Sequence, residues 1–264
     1  MIMLGEIGAI AEAAAVGLAQ FTIVTSGTPE DFIVRIDGAV DLIVDWGDGS
    51  GDETFNGDSL RTHAYATADT YTMKVVSGTA TKIAFGAAGF ATTPLLLTAV
   101  VTTISPDIGL TSAASMFRGC TNCTSWAPGF FDEASAEILN VTFMFAFTSF
   151  SDDVSGWNTA KITNMAYMFF ACSAFNQDVS GFDMSLVTTA VNMFNSSAFS
   201  QTNLDKVYSL TTGWPSQALQ DNVEVHFGTA KYDGETADIA DGRAHLVAAT
   251  PGGFAWTITD GGDD

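Results

Sequence analysis

The stretch MFAFTSFSDDVSGWNTAKITNMAYMFFACSAFNQDVSGF, residues 144–182, contains one repeat unit and most of the next. The pair Met144-Phe145 returns at residues 168 and 169, and VSGW at residues 154–157 returns as VSGF at residues 179–182. Comparison of the chain with itself extends the pattern, because Met-Phe pairs begin at residues 116, 144, 168 and 193. Their intervals of 28, 24 and 25 residues indicate a structural repeat.

One repeat unit is too short to bury its own aromatic side chains. A unit of roughly 24 residues supplies a short strand and one turn of helix, so several units must stack to form a continuous core. An aliphatic residue lies six positions before each Met, at Leu110, Ile138, Ile162 and Val187. We therefore assign the Met and Phe residues to the core, and we predict that each Phe packs on the Phe of the next unit.

Residues 144–194 resemble the BspA-type leucine-rich-repeat family, whose units read roughly M-F-x-x-A-x-x-F-N-Q-D-[IV]-S-x-W. The segment FFACSAFNQDVS, residues 169–180, follows this pattern almost letter for letter. The segment AWTITDGG, residues 255–262, is similar to the closing segment often found after such repeats. The resemblance implies a leucine-rich-repeat-like solenoid over residues 86–212, followed by a C-terminal cap over residues 213–264.

The part before the repeats has the pattern of short strands. Runs rich in Val, Ile and Phe, bounded by Gly, Pro and Asp, predict a small antiparallel β-sandwich over residues 21–85. The segments VDWGDGS, HAY and TYTMKV, which begin at residues 44, 63 and 70, resemble the polycystic-kidney-disease (PKD) domain family, although Asp69 stands where that family usually has Gly. Gly47 and Gly49 allow positive φ in the turn, and we interpret His63 as a hydrogen-bonded structural residue.

Residues 1–20, MIMLGEIGAIAEAAAVGLAQ, predict a short helix. Ile7, Ile10 and Leu18 fall on one stripe of that helix, and such a stripe needs a partner. Either the helix packs on the chain's own next domain or it docks into another subunit, in which case these three residues are the assembly residues. The fold class is therefore mainly β with some α, with a short N-terminal helix, a PKD/Ig-like β-sandwich and a leucine-rich-repeat-like solenoid.

The charge of the chain excludes two classes of partner. Among 264 residues, 30 are Asp or Glu and 9 are Lys or Arg, which gives a formal net charge of −21. Nine basic residues cannot build a surface that neutralises phosphates, so we expect no nucleic-acid binding. Anionic membranes are disfavoured for the same reason, and no apolar stretch is long enough to predict membrane insertion.

Motifs that would carry catalysis are missing from the sequence. There is no G-x-S-x-G, H-E-x-x-H, P-loop or dinucleotide fingerprint, so we expect no enzyme and no catalytic residues. Cys120 and Cys123 form a C-x-x-C pair without enough further ligands for zinc, and their bonding stays open. We expect no metal and no cofactor. The alternative is calcium in an Asp-rich turn, held by Asp45, Asp48, Asp52 and Asp58.

The BspA-type and PKD resemblances imply a surface-displayed recognition or adhesion protein, of the kind found in bacterial surface proteins and in phage structural proteins. Because the sequence carries no signal peptide, we expect a virion-surface protein made in the host cytoplasm, such as a head decoration protein or a tail fibre. Its expected partners are other virion proteins of the capsid or tail, a host-surface glycan or protein, and further copies of itself. The alternatives are a structural cement protein without a host ligand and a secreted bacterial adhesin.

The expected binding face is the polar side of the solenoid. Its candidate residues are Asn158, Asn176, Gln177 and Asp178, which lie in or next to the turns of two successive units. Amide and carboxylate groups of this kind suit hydrogen bonding to glycans, and a repeat stack presents them without long loops.

Overall fold

The computed structural model describes residues 17–27, 29–86, 96–249 and 253–262. The predicted assembly residues Ile7 and Ile10 lie outside the described residues. Leu18 lies inside them but not in a helix, because its N–H donates to the Val75 carbonyl at 2.6 Å and a strand begins at Ala19. The helix predicted over residues 1–20 therefore does not reach its predicted end, since Ala19 and the residues after it pair with a neighbouring strand.

The chain is mainly β, as predicted, and its first half forms one open mixed sheet. The strands are β1 (Ala19–Val24), β2 (Glu30–Asp45), β3 (Glu53–Tyr65), β4 (Thr70–Thr79), β5 (Lys82–Ala84), β6 (Leu97–Val100) and β7 (Ser125–Trp126). Hydrogen bonds connect them in the order β3-β2-β4-β1-β6-β7, and β5 pairs with β2. Only β6 and β7 are parallel within this sheet. In β2, buried Phe32, Val34 and Ile36 alternate with more exposed residues, as expected when one strand face packs on a core.

The repeat units stack in register, one upon the next. Single-residue parallel bridges join Lys82 to Ser112, Ser112 to Asn140, Asn140 to Asn164, and Asn164 to Thr189. Each bridge after the first connects equivalent positions of successive units. Because β5 supplies Lys82, the sheet and the repeats belong to one hydrogen-bonded array.

The Phe residues of the Met-Phe pairs form the continuous column that the repeat predicts. Phe117 and Phe145 have ring centroids 5.5 Å apart, Phe145 and Phe169 are 5.9 Å apart, and Phe169 and Phe194 are 5.7 Å apart. The rings lie within 22° of parallel, and all four are fully buried. The prediction that these residues form the core is confirmed.

The C-terminal segment closes the column. It contains the helices α1 (Gln201–Tyr208) and α2 (Ala237–Val247) and the parallel strands β8 (Glu224–His226) and β9 (Thr257–Thr259). The Phe227 ring stacks on Phe194 at 5.4 Å and continues the aromatic column. Beyond it, the buried Asp260 carboxylate accepts hydrogen bonds from the Arg243 guanidinium at 2.8 Å and the Tyr208 hydroxyl at 2.6 Å.

One hydrophobic core runs from β1 to Trp256, and it includes buried residues of both the sheet and the repeats. Short 3-10 turns at Pro106–Ile108, Ala134–Glu137 and Trp214–Ser216 connect the longer elements. Within the part of the chain that the structure describes, no helix has the length and apolar character to cross a membrane.

Candidate recognition surface

Two of the predicted binding residues, Asn158 and Asn176, are exposed but accept hydrogen bonds from the chain itself. The Asn158 side-chain oxygen accepts the N–H of Ala160 at 3.1 Å. The Asn176 side-chain oxygen accepts the N–H of Ser200 at 2.9 Å and the amide of Asn203 at 3.0 Å. The contact of Asn158 stabilises its own turn, and the contacts of Asn176 link two successive units.

Gln177 and Asp178, the other two predicted residues, have similar internal contacts. The Gln177 amide donates to the Ser151 carbonyl of the preceding unit. Asp178 accepts the N–H and the hydroxyl of Ser180 at 3.0 and 2.7 Å and pairs with Lys206 at 2.9 Å. Burial disfavours the charged carboxylate, yet the bonds from Ser180 and Lys206 outweigh burial and hold the pKa of Asp178 below its usual value. Much of the hydrogen-bonding capacity of the four side chains is thus used within the stack.

An acidic cleft of about 400 Å³ opens beside these turns. Phe130 and Trp157 line it together with the carboxylates of Asp132, Asp152 and Asp153. Burial raises the pKa of Asp152, because the charged form loses hydration there. Gly156 shapes the cleft, since a Cβ at that position would collide with the Asp132 carboxylate.

The same turn forms a second cleft in the next unit. This cleft encloses about 230 Å³ and is lined by Asp178, Ser180 and Phe182. It shares Ser155 and Trp157 with the acidic cleft, so the two clefts lie next to each other. The recurrence follows directly from the VSGW and VSGF segments of the sequence.

The Asp-rich turn near residue 48 is held by its own side chains. Asp48 accepts the N–H and hydroxyl of Ser50 at 3.0 and 2.6 Å and pairs with Nε2 of His63 at 2.8 Å. Burial opposes ionisation, but the bonds from Ser50 and His63 hold the pKa of Asp48 below its usual value. The bond to Asp48 makes His63 hydrogen-bonded, as predicted, and the His63 ring also stacks on Trp46 at 4.6 Å. Gly47 has φ +81°, and a Cβ there would collide with a carbonyl of β4.

Two of the other carboxylates considered for calcium, Asp45 and Asp58, also have internal partners. Asp45 accepts the N–H of Gly47 at 2.8 Å and pairs with Lys74, while Asp58 accepts the N–H of Gly38 at 2.8 Å. Within residues 17–27, 29–86, 96–249 and 253–262, no three His, Cys, Asp or Glu side chains converge as metal ligands do. The geometry of the turn is therefore explained by bonds within the chain.

A cluster of partly exposed aromatic rings lies on the repeat units, and we call Arg118, Phe143, Phe147, Tyr167 and Phe170 the aromatic patch. Phe143 stacks on Tyr167 at 4.4 Å with an interplanar angle of 10°. Phe147 meets Phe170 edge to face at 5.3 Å, and 43% of Phe147 is exposed. The Arg118 guanidinium carbon lies 4.7 Å from the Phe143 ring centroid and 5.8 Å from that of Phe147. These rings are separate from the buried Phe column.

The backbone under the patch is in the left-handed region. Phe143, Phe147 and Tyr167 have φ values of 56°, 61° and 56°. In the first and fourth units, Ser115 and Asn192 occupy the position of Phe143 and Tyr167 and have φ values of 59° and 53°. This conformation is therefore a property of the repeat, and a bulky aromatic residue there costs on the order of 1 kcal/mol. The left-handed backbone forms in the outer units without an aromatic side chain. The aromatic residues of the central units are therefore not there to produce this backbone conformation, and they need a different explanation.

Arg118 differs from the other arginines in its electrostatic contacts. Arg35, Arg61 and Arg243 pair with Asp37, Glu53 and Asp260. Arg118 has no carboxylate partner among the described residues, and its contacts are with two aromatic rings. A cation over ring faces is stabilised by the ring quadrupole, while its N–H groups remain available at the edge.

The sequence analysis missed the aromatic patch because it assigned the aromatic residues of the repeats to the core. A signal was nevertheless present. Phe143 and Tyr167 stand directly before Met-Phe pairs, where the first and fourth units have Ser115 and Asn192. A core position keeps an apolar residue in every unit. This position is aromatic in the two central units and polar in the two outer ones, so the repeat pattern itself indicates that it is not a core position.

The three cysteines are free and buried. Burial raises the pKa of Cys120 well above its ordinary value, and it raises that of Cys123 to about 12. The sequence leaves open whether Cys120 and Cys123 are bridged. In the structure they are two free thiols. Raised pKa values are typical of structural cysteines rather than of nucleophiles.

Comparison with protein-family models finds a similarity over part of the chain. Residues 111–230 match a protein-family model described as "Mycoplasma protein of unknown function, DUF285". The matched residues cover most of the repeats and the start of the C-terminal segment. Neither the curated proteins nor the solved structures contain a match to this chain.

Proposed function

We propose that this chain is a non-enzymatic recognition protein displayed on a surface, and that its repeat stack presents the aromatic patch to a ligand. The observation that carries the proposal is the patch itself. Its rings are partly exposed, and three of them, Phe143, Phe147 and Tyr167, occupy backbone positions that disfavour them, so they stabilise the free chain little. Covering such rings with a partner removes apolar area from water, which is the usual source of binding free energy at aromatic anchors.

We propose a leucine-rich-repeat-like solenoid for the stack and a PKD-like sandwich for the sheet. Three observations support this architecture. Parallel bridges join equivalent residues of successive units, and the family match covers the segment that resembles BspA-type repeats. The WGDG turn has Gly47 and Gly49 at φ 81° and 78°, as that turn requires.

For the place of display we propose a virion surface, with capsid or tail proteins as assembly partners and a host-surface molecule as the ligand. The resemblance to phage structural proteins supports this proposal, and so does the net charge of −21, which keeps crowded copies apart. A cement protein without a host ligand and a bacterial surface adhesin are the alternatives. In a cement protein, neighbouring chains of the particle would cover the aromatic patch.

The test of the recognition function is binding of the labelled full chain to a panel of bacterial cells and purified surface polysaccharides. The variant Phe147→Ser removes the most exposed ring, and Ser196 occupies the equivalent position in the fourth unit. We expect this variant to lose binding by about tenfold or more, as for other aromatic anchors.

The matched control is Leu186→Ser, which removes an exposed apolar side chain outside the patch. It should bind as the unchanged chain does. Equal losses in the two variants, or no loss in either, would contradict the proposed role of the aromatic patch.

The proposed docking role of residues 1–20 predicts that Ile10→Asp weakens association. A charge in the centre of an apolar stripe opposes its burial against any partner. We expect sedimentation of the full chain to report a smaller assembly for the variant, with an unchanged circular dichroism spectrum. Association at the original strength would contradict the docking role.

A further inference from the structure

We propose that the aromatic patch binds a saccharide chain that carries carboxylate groups, with Arg118 holding a carboxylate and Phe147 packing on the face of a sugar ring. The inference rests on the proposed recognition function and names the class of its ligand. Three features of the patch support it: an arginine and a hydroxyl group that have no carboxylate and no hydrogen-bond partner, respectively, among the described residues, and an exposed ring.

Arg118 is the feature that selects an anion. The planar guanidinium lies over Phe143 and Phe147, so its orientation is fixed before a ligand arrives. Its donors form a rigid fork whose geometry matches a carboxylate. In a chain with 30 acidic residues, an arginine that no described carboxylate neutralises is left as a local positive charge for an outside anion.

The rings are the feature that selects a partner with flat apolar faces. Arg118, Phe143 and Tyr167 form one column from unit to unit, and Phe147 is exposed beside it. The C–H groups on a pyranose face carry partial positive charge and pack favourably on the negative face of an aromatic ring. The Tyr167 hydroxyl has no hydrogen-bond partner among the described residues, so it is available to a sugar hydroxyl.

The size of the patch favours a saccharide over a protein. The five side chains come from three successive units, whereas a stable protein interface buries about 800 Å² on each partner and uses roughly 20–30 residues. A linear acidic saccharide lies along neighbouring units and needs only a narrow strip of surface.

The experiment uses the full chain and oligosaccharides of galacturonic, glucuronic, mannuronic and sialic acid, each with its methyl ester. The ester keeps the sugar ring and removes the charge. We expect titration calorimetry to give an affinity for at least one acid that is about tenfold or more above that of its ester, as for charge-assisted hydrogen bonds. Added salt should weaken the binding of the acid.

The variant Arg118→Gln should lose about tenfold in affinity for the acid while its affinity for the ester stays the same. Lys161→Gln is the matched control, because it changes the net charge equally at an exposed residue that pairs with Glu137. Arg118→Lys keeps the charge but lacks the fork, and it should recover only part of the lost affinity. Thermal unfolding of each variant verifies that it folds.

Four results would overturn the inference, and they separate it from the proposed function. Equal affinity for acid and ester, or equal affinity of Arg118→Gln and the unchanged chain, removes the role of the carboxylate. Binding of neutral saccharides alone, lost in Phe147→Ser, refutes the acidic ligand and leaves the recognition function intact. Binding of no saccharide, with self-association that Phe147→Ser abolishes in light scattering, makes the patch an interface between copies and refutes both.

Discussion

Tyr167 and Phe169 stand two positions apart in the same repeat unit, yet their rings have opposite roles. Phe169 is fully buried and stacks between Phe145 and Phe194 in the column. Tyr167 is partly exposed, stacks on Phe143, meets Phe170 edge to face, and has φ 56°. At the scale of the residue, aromatic character alone therefore does not distinguish a core residue from a site residue. The number of rings that the side chain contacts and the backbone conformation of the residue distinguish them.

This difference predicts opposite effects of two substitutions on the free energy of unfolding. Phe169→Ala removes a ring from the packed column and should destabilise the chain by about 3–5 kcal/mol. Tyr167→Asn loses two partly exposed ring contacts but relieves a strained conformation that Asn tolerates better, so we expect a cost of only about 1 kcal/mol. Urea unfolding of both variants measures this. A cost for Tyr167→Asn as large as that for Phe169→Ala would make Tyr167 a core residue.

The buried cysteines give a second prediction at this scale. Alkylation requires the thiolate, and burial raises the pKa of Cys123 to about 12. At pH 8 the folded chain should therefore resist iodoacetamide, and the chain unfolded in guanidinium should gain three modifications, one for each cysteine. Mass spectrometry counts them. Rapid modification of the folded chain would show that a cysteine is accessible and ionised.

At the scale of the element, the sequence was most informative where a packing requirement repeats. The Met-Phe period predicted the Phe column because every unit must bury the same residue, and runs rich in Val, Ile and Phe predicted strands such as β2. The strand that begins at Ala19, inside the predicted helix, was not predictable, because the pairing of Ala19 with Val75 depends on a strand more than 50 residues away. Asn176 and Asp178 were chosen as site residues by their polarity, which does not reveal that their oxygens bond within the stack.

The closing element of the stack predicts a specific dependence on pH. Burial raises the pKa of the Asp260 carboxyl, but the bonds from Arg243 and Tyr208 outweigh burial and hold it below the usual value. Its side chain is only 4% exposed. The pKa of Asp260 is thus lower in the folded chain than in the unfolded chain, where it is 3.8. The ionised carboxylate therefore stabilises the fold above pH 3.8, and this stabilisation is lost as pH falls through the pKa of the folded chain.

Asp260→Asn should accordingly lower the free energy of unfolding at pH 7 by about 3–5 kcal/mol, since it leaves the Arg243 charge without its partner. The difference between the variant and the unchanged chain should shrink below about pH 4. Urea unfolding at a series of pH values measures this difference. Ser151→Ala, an exposed substitution remote from Asp260, is the control and should show no such trend. A difference that is constant with pH would contradict the role of the charged pair.

At the scale of the whole molecule, the sheet and the repeats are joined by side chains as well as by hydrogen bonds. Phe85 contacts Phe21 of β1 at 4.7 Å and Phe117 of the first repeat unit at 6.0 Å. The aromatic column therefore continues from the sheet through the repeats to Phe227. This continuity gives the exposed patch a rigid base, since no break in the core separates the units that carry it from their neighbours.

A continuous core predicts that the sheet and the repeats unfold together. Repeat arrays can lose cooperativity, because each unit contacts only its neighbours. Here the ring contacts of Phe85 couple the first unit to the sheet, so Phe145→Ala in the repeats should lower the stability of both parts by the same amount, about 3–5 kcal/mol. Hydrogen exchange of amides in β1 and in residues 163–171 reports the two parts separately. Protection that falls in the repeats but is retained in β1, or two resolved calorimetric transitions, would show that the sheet and the repeats are independent.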